Sequence, residues 1–544
     1  MTAISELLQY RRLRAPQEDR SALIEPPLED AGAMLAANRG LREGADYDFQ
    51  GRRLGDLVRQ ARQELCRAAR QYTSGYLDVE AAAPDCSAPI YLAGHQPQLF
   101  HPGVWLKDFA LDWLARRHGG LAVNLLVDSD TLRSSALRVP GGSAGEPQVV
   151  SIPYDLAGPP VPYEERPVLD RRLLADFGGR AAAQVRPIVA DPLLADYWPM
   201  VLSRLEAVDN LGLCLAQSRH QLERCWGLRT WEVPQSRVCE TESFAWFAAH
   251  LLAQLPRLRA VYNEVVQAYR RAHRIRSPAH PVPDLAEEDG WLESPFWIWT
   301  AENPCRRRLF ARQRGGCVAL SDRQGLEVCL PLGPDADAGR AVARLAELAR
   351  SGVKIRSRAL LTTLWARLAL GDVFVHGIGG AKYDQVTDAL MQGFFGLAPP
   401  AYMVVSGTLY LRSPHRMHAA KHLRAIDQQV RELEYHPERF LGGSVRGQGA
   451  DRDEAARLRS EKMAWIRTPA SRGNGKRRWR AIRGINEALQ PWVAEERSRL
   501  AARRQEAARA VRAESVLCWR EYGFCLHAEK NLREFFAAVL PKSR

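Results

Sequence analysis

Three short segments of this chain carry residue types that could bind a ligand or move a proton, and the first is GHQPQLFHPG at residues 94–103. Its histidines and glutamine can donate hydrogen bonds to a phosphate group or to charge that develops in a transition state. Its two flanking glycines allow the backbone to approach a ligand closely. Side chains that only cap a turn are the alternative, but these donors exceed what a turn requires. We therefore predict His95 as a catalytic residue and Gly94, Gln96, Pro97 and His101 as ligand-binding residues.

The second segment is VHGIGGAKYD at residues 375–384, where three glycines follow an apolar run and precede a helical pattern. A glycine-rich turn at the end of a strand is a position that can cradle phosphate. The spacing matches neither a Walker loop nor a dinucleotide fingerprint, and a tight turn beside a core histidine is the alternative. We predict His376 as a catalytic proton-transfer residue, because imidazole titrates near neutral pH. The predicted ligand-binding residues are Gly377, Gly379, Gly380, Lys382 and Tyr383.

The third segment is VDSD at residues 127–130, which places two carboxylates at the end of another apolar run. Asp128 and Asp130 could hold a divalent cation such as Mg²⁺ or the ammonium group of a substrate. They could equally cap the following turn with their own side chains. We predict both as catalytic residues and assign no residue as a metal ligand.

A fourth segment, SRGNGKRRWRAIR at residues 471–483, surrounds Trp479 with six basic residues and no acid. Such a segment could hold phosphates and stack a base. A solvated loop between helices is the favoured interpretation, because charge runs of this kind are usually solvated.

The elements that position these segments follow from the hydrophobic pattern. Residues 89–94 and 121–130 predict buried strands, and the segment between them has helical spacing. Residues 372–377 and 401–412 bracket a second helical pattern in the same way. Because strand–helix–strand units form parallel sheets with right-handed crossovers, we predict an α/β fold with one doubly wound sheet. Ligands bind outside the carboxyl ends of such strands, so the two glycine-rich segments should lie side by side.

Changes in the pattern of hydrophobic and polar residues predict that the chain is organised in five parts. The last is rich in Ala, Arg, Glu and Leu, which is typical of packed or coiled-coil helices. Because a long helix must bury its apolar stripe, we expect a homodimer through these helices. The parts are a helical segment (1–84), the first half of the sheet core (85–190), a helical insertion (191–285), the second half of the core (286–411) and the helical C-terminal region (412–544).

The composition narrows the class of protein. The 544 residues are 46% hydrophobic and 26% charged, which is typical of globular proteins and excludes general disorder. The sequence starts without a secretory leader and has no apolar run long enough to span a bilayer, so we expect a cytoplasmic protein without a membrane partner. The ten scattered cysteines include no CxxC pair, which argues against a disulfide framework or a cysteine zinc site. The net charge of +13 specifies no groove contact, so we expect a small-molecule substrate rather than nucleic acid.

In these motifs the chain resembles the bacillithiol biosynthesis cysteine-adding enzyme family. The family's first motif is matched at Gly94, Gln96, Pro97, Leu99 and Phe100, and its later turn at Gly377, Gly379 and Tyr383, while residues 127–130 occupy the place of its acidic cluster. Three positions differ, because His95, Gln98 and Gly380 stand where the family has glutamine, glycine and glutamate. The resemblance implies a Rossmann-like core related to class I aminoacyl-tRNA synthetases, with a helical connecting insertion and a C-terminal coiled coil that dimerises.

The resemblance also implies an activity, the formation of an amide bond between the carboxyl group of cysteine and the amine of glucosaminyl-malate. The carboxyl group would be activated as an acyl-nucleotide or acyl-phosphate, so a nucleotide such as ATP or ADP and Mg²⁺ are the cofactors to consider. Two alternatives use the same residues. One is a nucleotidylyl-transfer enzyme with another acceptor, and the other is a non-catalytic dimeric nucleotide-binding protein of the same fold.

Overall fold

The computed structural model describes residues 7–10, 12–79, 86–277, 282–411, 419–441 and 450–541. Its strands are β1 (Ser21–Glu25), β2 (Ile90–His95), β3 (Leu121–Leu126), β4 (Ala136–Gly142), β5 (Pro147–Pro153), β6 (Trp231–Pro234), β7 (Glu287–Glu288), β8 (Trp291–Thr300), β9 (Arg307–Arg314), β10 (Cys317–Ser321), β11 (Glu327–Leu330), β12 (Val353–Ser357), β13 (Val373–His376) and β14 (Tyr402–Thr408).

The helices of the same residues are α1 (Ala31–Glu43), α2 (Leu54–Ser74), α3 (Pro102–His118), α4 (Arg171–Val185), α5 (Leu194–Ala207), α6 (Leu211–Cys225), α7 (Gln235–Val238), α8 (Glu242–Ala253), α9 (Leu255–Ala272), α10 (Gly339–Arg350), α11 (Ala359–Trp365), α12 (Ile378–Leu390), α13 (Ala419–Tyr435), α14 (Ala450–Arg467), α15 (Gly475–Leu489), α16 (Ala494–Leu517) and α17 (Glu529–Val539). Helices α11 and α12 each continue into one π-helical turn, Ala366–Leu370 and Met391–Phe395.

The central sheet has six strands in the order β1–β14–β13–β2–β3–β6. Neighbouring strands run parallel, except that β1 pairs antiparallel with β14. Strands β2, β3 and β13 are buried along almost their whole length, which is why they are continuous apolar runs rather than alternating ones. The prediction of a mixed α/β fold with a parallel sheet is confirmed at this level.

The direction in which the sheet grows reverses between β2 and β13. Strands β3 and β6 follow β2 on one side, whereas β13 and β14 lie on its other side. The two predicted strand–helix–strand units are present as β2–α3–β3 and β13–α12–β14. Open α/β sheets leave a crevice at the carboxyl ends of the strands where such a reversal occurs.

Helix α3 begins and ends as its sequence dictates. Pro102 stands in its first turn, where the missing N–H costs nothing, and the side chain of His101 caps it. Gly119 ends the helix in the left-handed conformation with φ of 63°, which glycine adopts without strain. The helix packs against β2, β3 and β14, and this contact buries Trp105 and Leu106 completely. The start of the helix is therefore fixed against the edge of the sheet.

Residues 287–357 form a second sheet instead of joining the central one, so the expectation of a single sheet is wrong. Its main path is β11–β10–β9–β8–β12, with β7 paired to β8, and every pairing in it is antiparallel. Short connections between successive strands favour hairpins, whereas parallel neighbours need a crossover. Strands β10 and β11 bring Cys317 and Cys329 together in a disulfide, with their Cα atoms 6.4 Å apart. The scattered spacing of the cysteines gave no indication of this pair.

The chain divides into two compact units. The first comprises Met1–Val139, Val150–Leu409 and Arg520–Arg544, and the second comprises Pro140–Val149 and Tyr410–Trp519. In the second unit α13 packs along α16 and α14 packs along α15. The expected long helix from residue 487 onward is interrupted, since α16 ends at Leu517 and α17 belongs to the first unit. None of the helices in the described ranges is both long and apolar enough to cross a membrane.

Candidate functional site

A cavity of about 730 Å³ opens where the two glycine-rich segments meet. Strands β2 and β13 are parallel neighbours that end at His95 and His376, and helices α3 and α12 begin shortly after them. The segments therefore lie side by side at the reversal of the sheet, as their strand–helix pattern predicts. The residues that line it include Arg14, His101, Gly377, Gly379, Lys382 and Arg520.

The start of α12 presents free backbone donors to this cavity. Gly377 is the residue before the helix, and no side chain caps it. The first N–H groups of a helix have no partner within the helix and carry the positive end of its dipole, which favours an anion. A Cβ atom added at Gly377 or Gly379 would meet no atom within 4 Å, so the approach to these donors is open.

The expected glycine turn is instead the first turn of α12, because the helix already begins at Ile378. Gly380 is required there by packing. A Cβ atom at this position would lie 2.7 Å from Nδ1 of His376, which is too close for any side chain. The lack of a carboxylate at residue 380 thus follows from the histidine beneath it.

The charges around the cavity are mainly positive. Arg14 and Lys382 are exposed, and Arg520 donates hydrogen bonds to Oγ of Ser406 at 3.1 Å and to the carbonyl oxygen of Gly407 at 3.0 Å. Among the described lining residues, the one acid is Glu521. Three cations and one carboxylate, together with the uncapped N-terminus of α12, favour a ligand with more than one negative charge.

His101 acts as the cap of α3 and also lines the cavity. Its Nδ1 accepts a hydrogen bond from the backbone N–H of Gly103 at 3.1 Å, and its Nε2 lies 3.3 Å from Oε2 of Glu521. Burial, with the nearby charge of Arg520, lowers its pKa from 6.5 to about 3. The ring is therefore neutral near pH 7, and because Nδ1 accepts, the proton is on Nε2. Gly103 is needed for packing, since a Cβ atom there would lie 2.1 Å from the carbonyl oxygen of Gly407.

His95 does not line the cavity and is only 4% exposed, which corrects the expectation of a turn residue with little burial. It is the last residue of β2, and its ring packs edge-on against Phe100. Its Nε2 lies 3.3 Å from Oδ2 of Asp108. Burial and the charge of Arg219 hold the pKa of His95 well below its usual value of 6.5. The ring is neutral across the physiological range, so it cannot serve as a proton switch at this pH.

A buried network of charges supports the end of β2, and sequence reasoning missed it. Arg219 lies at its centre, with Nη1 2.8 Å from Oδ2 of Asp108 and 2.5 Å from Oε1 of Glu223, and it also pairs with Glu232. Lys107 donates from Nζ to the carbonyl oxygen of Gly94 at 2.7 Å. Burial raises the pKa of Glu223 to about 8 and lowers that of Lys107 to about 8. The available signal was the pair Lys107–Asp108 inside an otherwise apolar face of α3.

His376 is buried beneath the first turn of α12 and is 4% exposed. Its Nε2 lies 2.8 Å from Oδ2 of Asp384, which also pairs with Arg367. The other oxygen of Asp384, Oδ1, accepts from Oγ1 of Thr363 at 2.7 Å. Burial alone would raise the pKa of Asp384, but Arg367 and His376 hold it below its usual range. The carboxylate thus fixes the ring in one orientation, and His376 supports the helix start rather than facing the cavity.

The two aspartates of the third segment, Asp128 and Asp130, bind different partners within the protein. Asp130 accepts from Nε2 of Gln96 at 3.1 Å and pairs with Arg306 at 3.1 Å. Asp128 accepts from the backbone N–H of Ser236 at 2.9 Å and from its Oγ at 2.5 Å. They do not form a two-carboxylate metal site, and the described residues contain no group of three or more metal-ligating side chains.

Asp128 lines a second cavity of about 180 Å³ near the ends of β3 and β6. Burial and the neighbouring charge of Glu164 raise the pKa of Asp128 from 3.8 to about 7. Pro97, from the first glycine-rich segment, lines the same cavity, whereas Tyr383 lies on α12 with its ring 6.4 Å from that of Tyr269. The predicted residues therefore divide between two cavities and the core beside them.

No family model matches this chain. A search of curated proteins likewise gives no match. Function is therefore inferred from the two cavities and the residues that line them.

Proposed function

We propose that the chain is a carbon–nitrogen ligase with a Rossmann-like core, resembling the bacillithiol cysteine-adding enzyme, and that it binds the phosphates of a nucleotide in the cavity between α3 and α12. The observation that carries this proposal is the convergence of the uncapped N-terminus of α12 and three cations at the reversal of the sheet. Helix N-termini and cations at this position suit phosphate groups in other open α/β sheets.

In the proposed complex the phosphates contact the backbone N–H groups at the start of α12, and Lys382 and Arg14 neutralise their charge. Lys382 lies one turn into α12, on the side of the helix that lines the cavity. His101 is neutral and its Nε2 faces Oε2 of Glu521 at 3.3 Å, so it adds no charge to the cavity. Two cations beside a set of backbone N–H donors suit a polyphosphate better than a single carboxylate.

The second cavity is the proposed site for the amine. Asp128 and Glu164 both line it, and Arg237 is exposed at its edge. Glu164 is paired with Arg356, whose Nε and Nη2 each lie 2.9 Å from one of its oxygens. An ammonium group would therefore pair with Asp128, whose charged form is disfavoured by burial and by Glu164. A carboxylate with a pKa of about 7 is also suited to accept a proton near neutral pH.

The proposed reaction has two steps. A substrate carboxylate oxygen attacks a phosphorus atom of ATP, and pyrophosphate or ADP leaves. The amine nitrogen then attacks the activated carbonyl carbon, the bond from that carbon to the phosphate oxygen breaks, and AMP or phosphate leaves. Asp128 takes the proton that the amine loses, while the donors at the start of α12 stabilise the departing phosphate.

Calorimetry with ATP, ADP and AMP tests the phosphate site. Lys382→Ala should weaken ATP binding about 10-fold or more, the usual loss for a hydrogen bond to a charged group. Lys530→Ala is the matched control, because Lys530 is 85% exposed on α17 and does not line the cavity. Equal affinities for the parent and Lys382→Ala would refute the phosphate site.

Product analysis tests the reaction. The parent, incubated with ATP, cysteine and an amino sugar, should form the amide and release AMP or ADP over many turnovers only when both substrates are present. Release of pyrophosphate with an acceptor that has no carboxylate would favour the nucleotidylyl-transfer alternative. Tight nucleotide binding without product from any amine would favour the non-catalytic alternative and refute the ligase.

A further inference from the structure

The second unit carries a basic surface that the proposed ligase does not use. Residues 462–486 contain eight Lys or Arg and no Asp or Glu. Lys462 is buried against Glu438, and Arg478 donates to the carbonyl oxygens of Trp465 and Ile466. The remaining six cations of this segment are exposed. Arg483 pairs through Nε with Oε1 of Glu487 at 2.8 Å, just beyond the segment, and the other five cations leave the surface with a net positive charge.

Most of this segment is helical, which corrects the expectation of a solvated loop. Helix α15 forms because Ile485 and Leu489 pack with Leu458 of α14 in a small apolar core. Lys476, Arg480 and Arg483 recur at helical spacing and therefore share one side of α15. Ile485 lies nine residues from Lys476, half a turn away around the helix axis, so the basic side is opposite the packed side.

Trp479 lies among these cations and is 59% exposed. The guanidinium carbon of Arg483 is 5.3 Å from the centre of its ring, a cation–π contact on the surface of the unit. Tryptophan is mostly buried in proteins, and here burial is replaced by contact with an arginine. An exposed indole flanked by cations is the arrangement on which nucleic-acid bases stack.

We propose that this surface, formed by Arg472, Lys476, Arg477, Trp479, Arg480 and Arg483, binds single-stranded nucleic acid. The cations contact successive phosphates and the indole stacks on an unpaired base, which a duplex does not offer. An anionic membrane is the competing partner for a basic helix. It fits less well, because the apolar residues Ile485 and Leu489 of α15 are buried inside the unit and cannot enter a bilayer.

Fluorescence anisotropy of the full chain with labelled oligo(dT) and oligo(U) of about 20 nucleotides tests the proposal. The logarithm of the affinity should fall with the logarithm of salt by about 0.7 per phosphate contact. The double variant Arg480→Ala/Arg483→Ala removes two contacts, so its slope should be shallower by about 1.4. Trp479→Ala should weaken binding about 5- to 150-fold, whereas Trp479→Phe should retain most of the affinity.

The matched control is Arg497→Ala/Arg499→Ala, which removes the same charge from exposed positions on α16. It should bind like the parent. Equal losses in both double variants would mean that net charge alone attracts the strand, and the proposed surface would be refuted. Binding to phosphatidylserine vesicles without binding to either oligonucleotide would assign the surface to a membrane instead. Tighter binding to a duplex than to either single strand would also overturn the proposal.

Discussion

Substitution by alanine at two glycines in the first turn of α12 should change the free energy of unfolding in opposite directions. A Cβ atom at Gly380 would lie 2.7 Å from Nδ1 of His376, and one at Gly379 would meet nothing within 4 Å. His376 cannot move aside freely, because Asp384 holds its Nε2 at 2.8 Å and the ring is 4% exposed. Gly380→Ala must therefore displace either the ring or the helix start.

The magnitudes follow from these contacts. Overpacking by one methyl group in a fixed environment costs about 1–3 kcal/mol, so Gly380→Ala should lower the free energy of unfolding by that amount. Gly379→Ala places alanine in a helix without a clash, which should raise the free energy of unfolding by up to about 1 kcal/mol. The two variants add the same atom one residue apart, so each is the control for the other.

Urea unfolding of both variants and the parent, followed by circular dichroism, measures these differences. The urea concentration at the unfolding midpoint should be highest for Gly379→Ala, intermediate for the parent and lowest for Gly380→Ala. Gly380→Ala should also weaken ATP binding, because a displaced helix start no longer aligns its N–H groups with the phosphates. If Gly380→Ala unfolds at the same urea concentration as Gly379→Ala, His376 does not pack tightly against the start of α12, and the prediction is wrong.

Two further predictions concern pH. Asp128 has a folded pKa of about 7, above its usual 3.8, so the stability that it contributes is full below pH 4 and is lost as the pH rises to about 7. Urea unfolding of Asp128→Asn between pH 4 and 8 should no longer show this loss. A variant whose stability changes with pH as the parent's does would contradict the raised pKa. His95 has a lowered pKa, so its contribution is full above pH 6.5 and is lost as the pH falls. His95→Gln should lessen this acid loss and leave the pH dependence of ATP binding between about pH 5.5 and 8.5 unchanged. A changed binding profile in calorimetry would restore His95 to the ligand site.

The parallel sheet was predictable because two strand–helix–strand patterns leave little freedom in how they connect. A right-handed crossover at each unit makes β2 and β13 run in the same direction, so their following segments reach the same edge. This constraint acts on the backbone and does not depend on which side chains face the ligand. For that reason the position of the first cavity could be predicted more securely than the role of any residue in it.

Side-chain roles were harder to predict, since they depend on contacts between segments distant in the chain. The pKa of His95 is lowered by burial and by the charge of Arg219, which lies more than a hundred residues away. Hydrophobic periodicity treats Lys107 and Asp108 as solvent-facing, although the two are at most 4% exposed. The second sheet was missed for a related reason, because strand patterns do not specify which strands pair with each other.

The segment between β2 and α3 borders both cavities, and in the proposed ligase it would lie between the sites of the two substrates. Its residue Pro97 lines the smaller, acidic cavity, and its residue His101 lines the larger, basic one. Between them, Gln96 is fixed by its hydrogen bond to Asp130. A ligase must hold an amine and a phosphorylated carboxyl group on neighbouring sites of opposite charge, with the reacting atoms between them. One short segment that borders an acidic site at one end and a basic site at the other meets this requirement, and the proposed reaction would therefore take place beside residues 97–101.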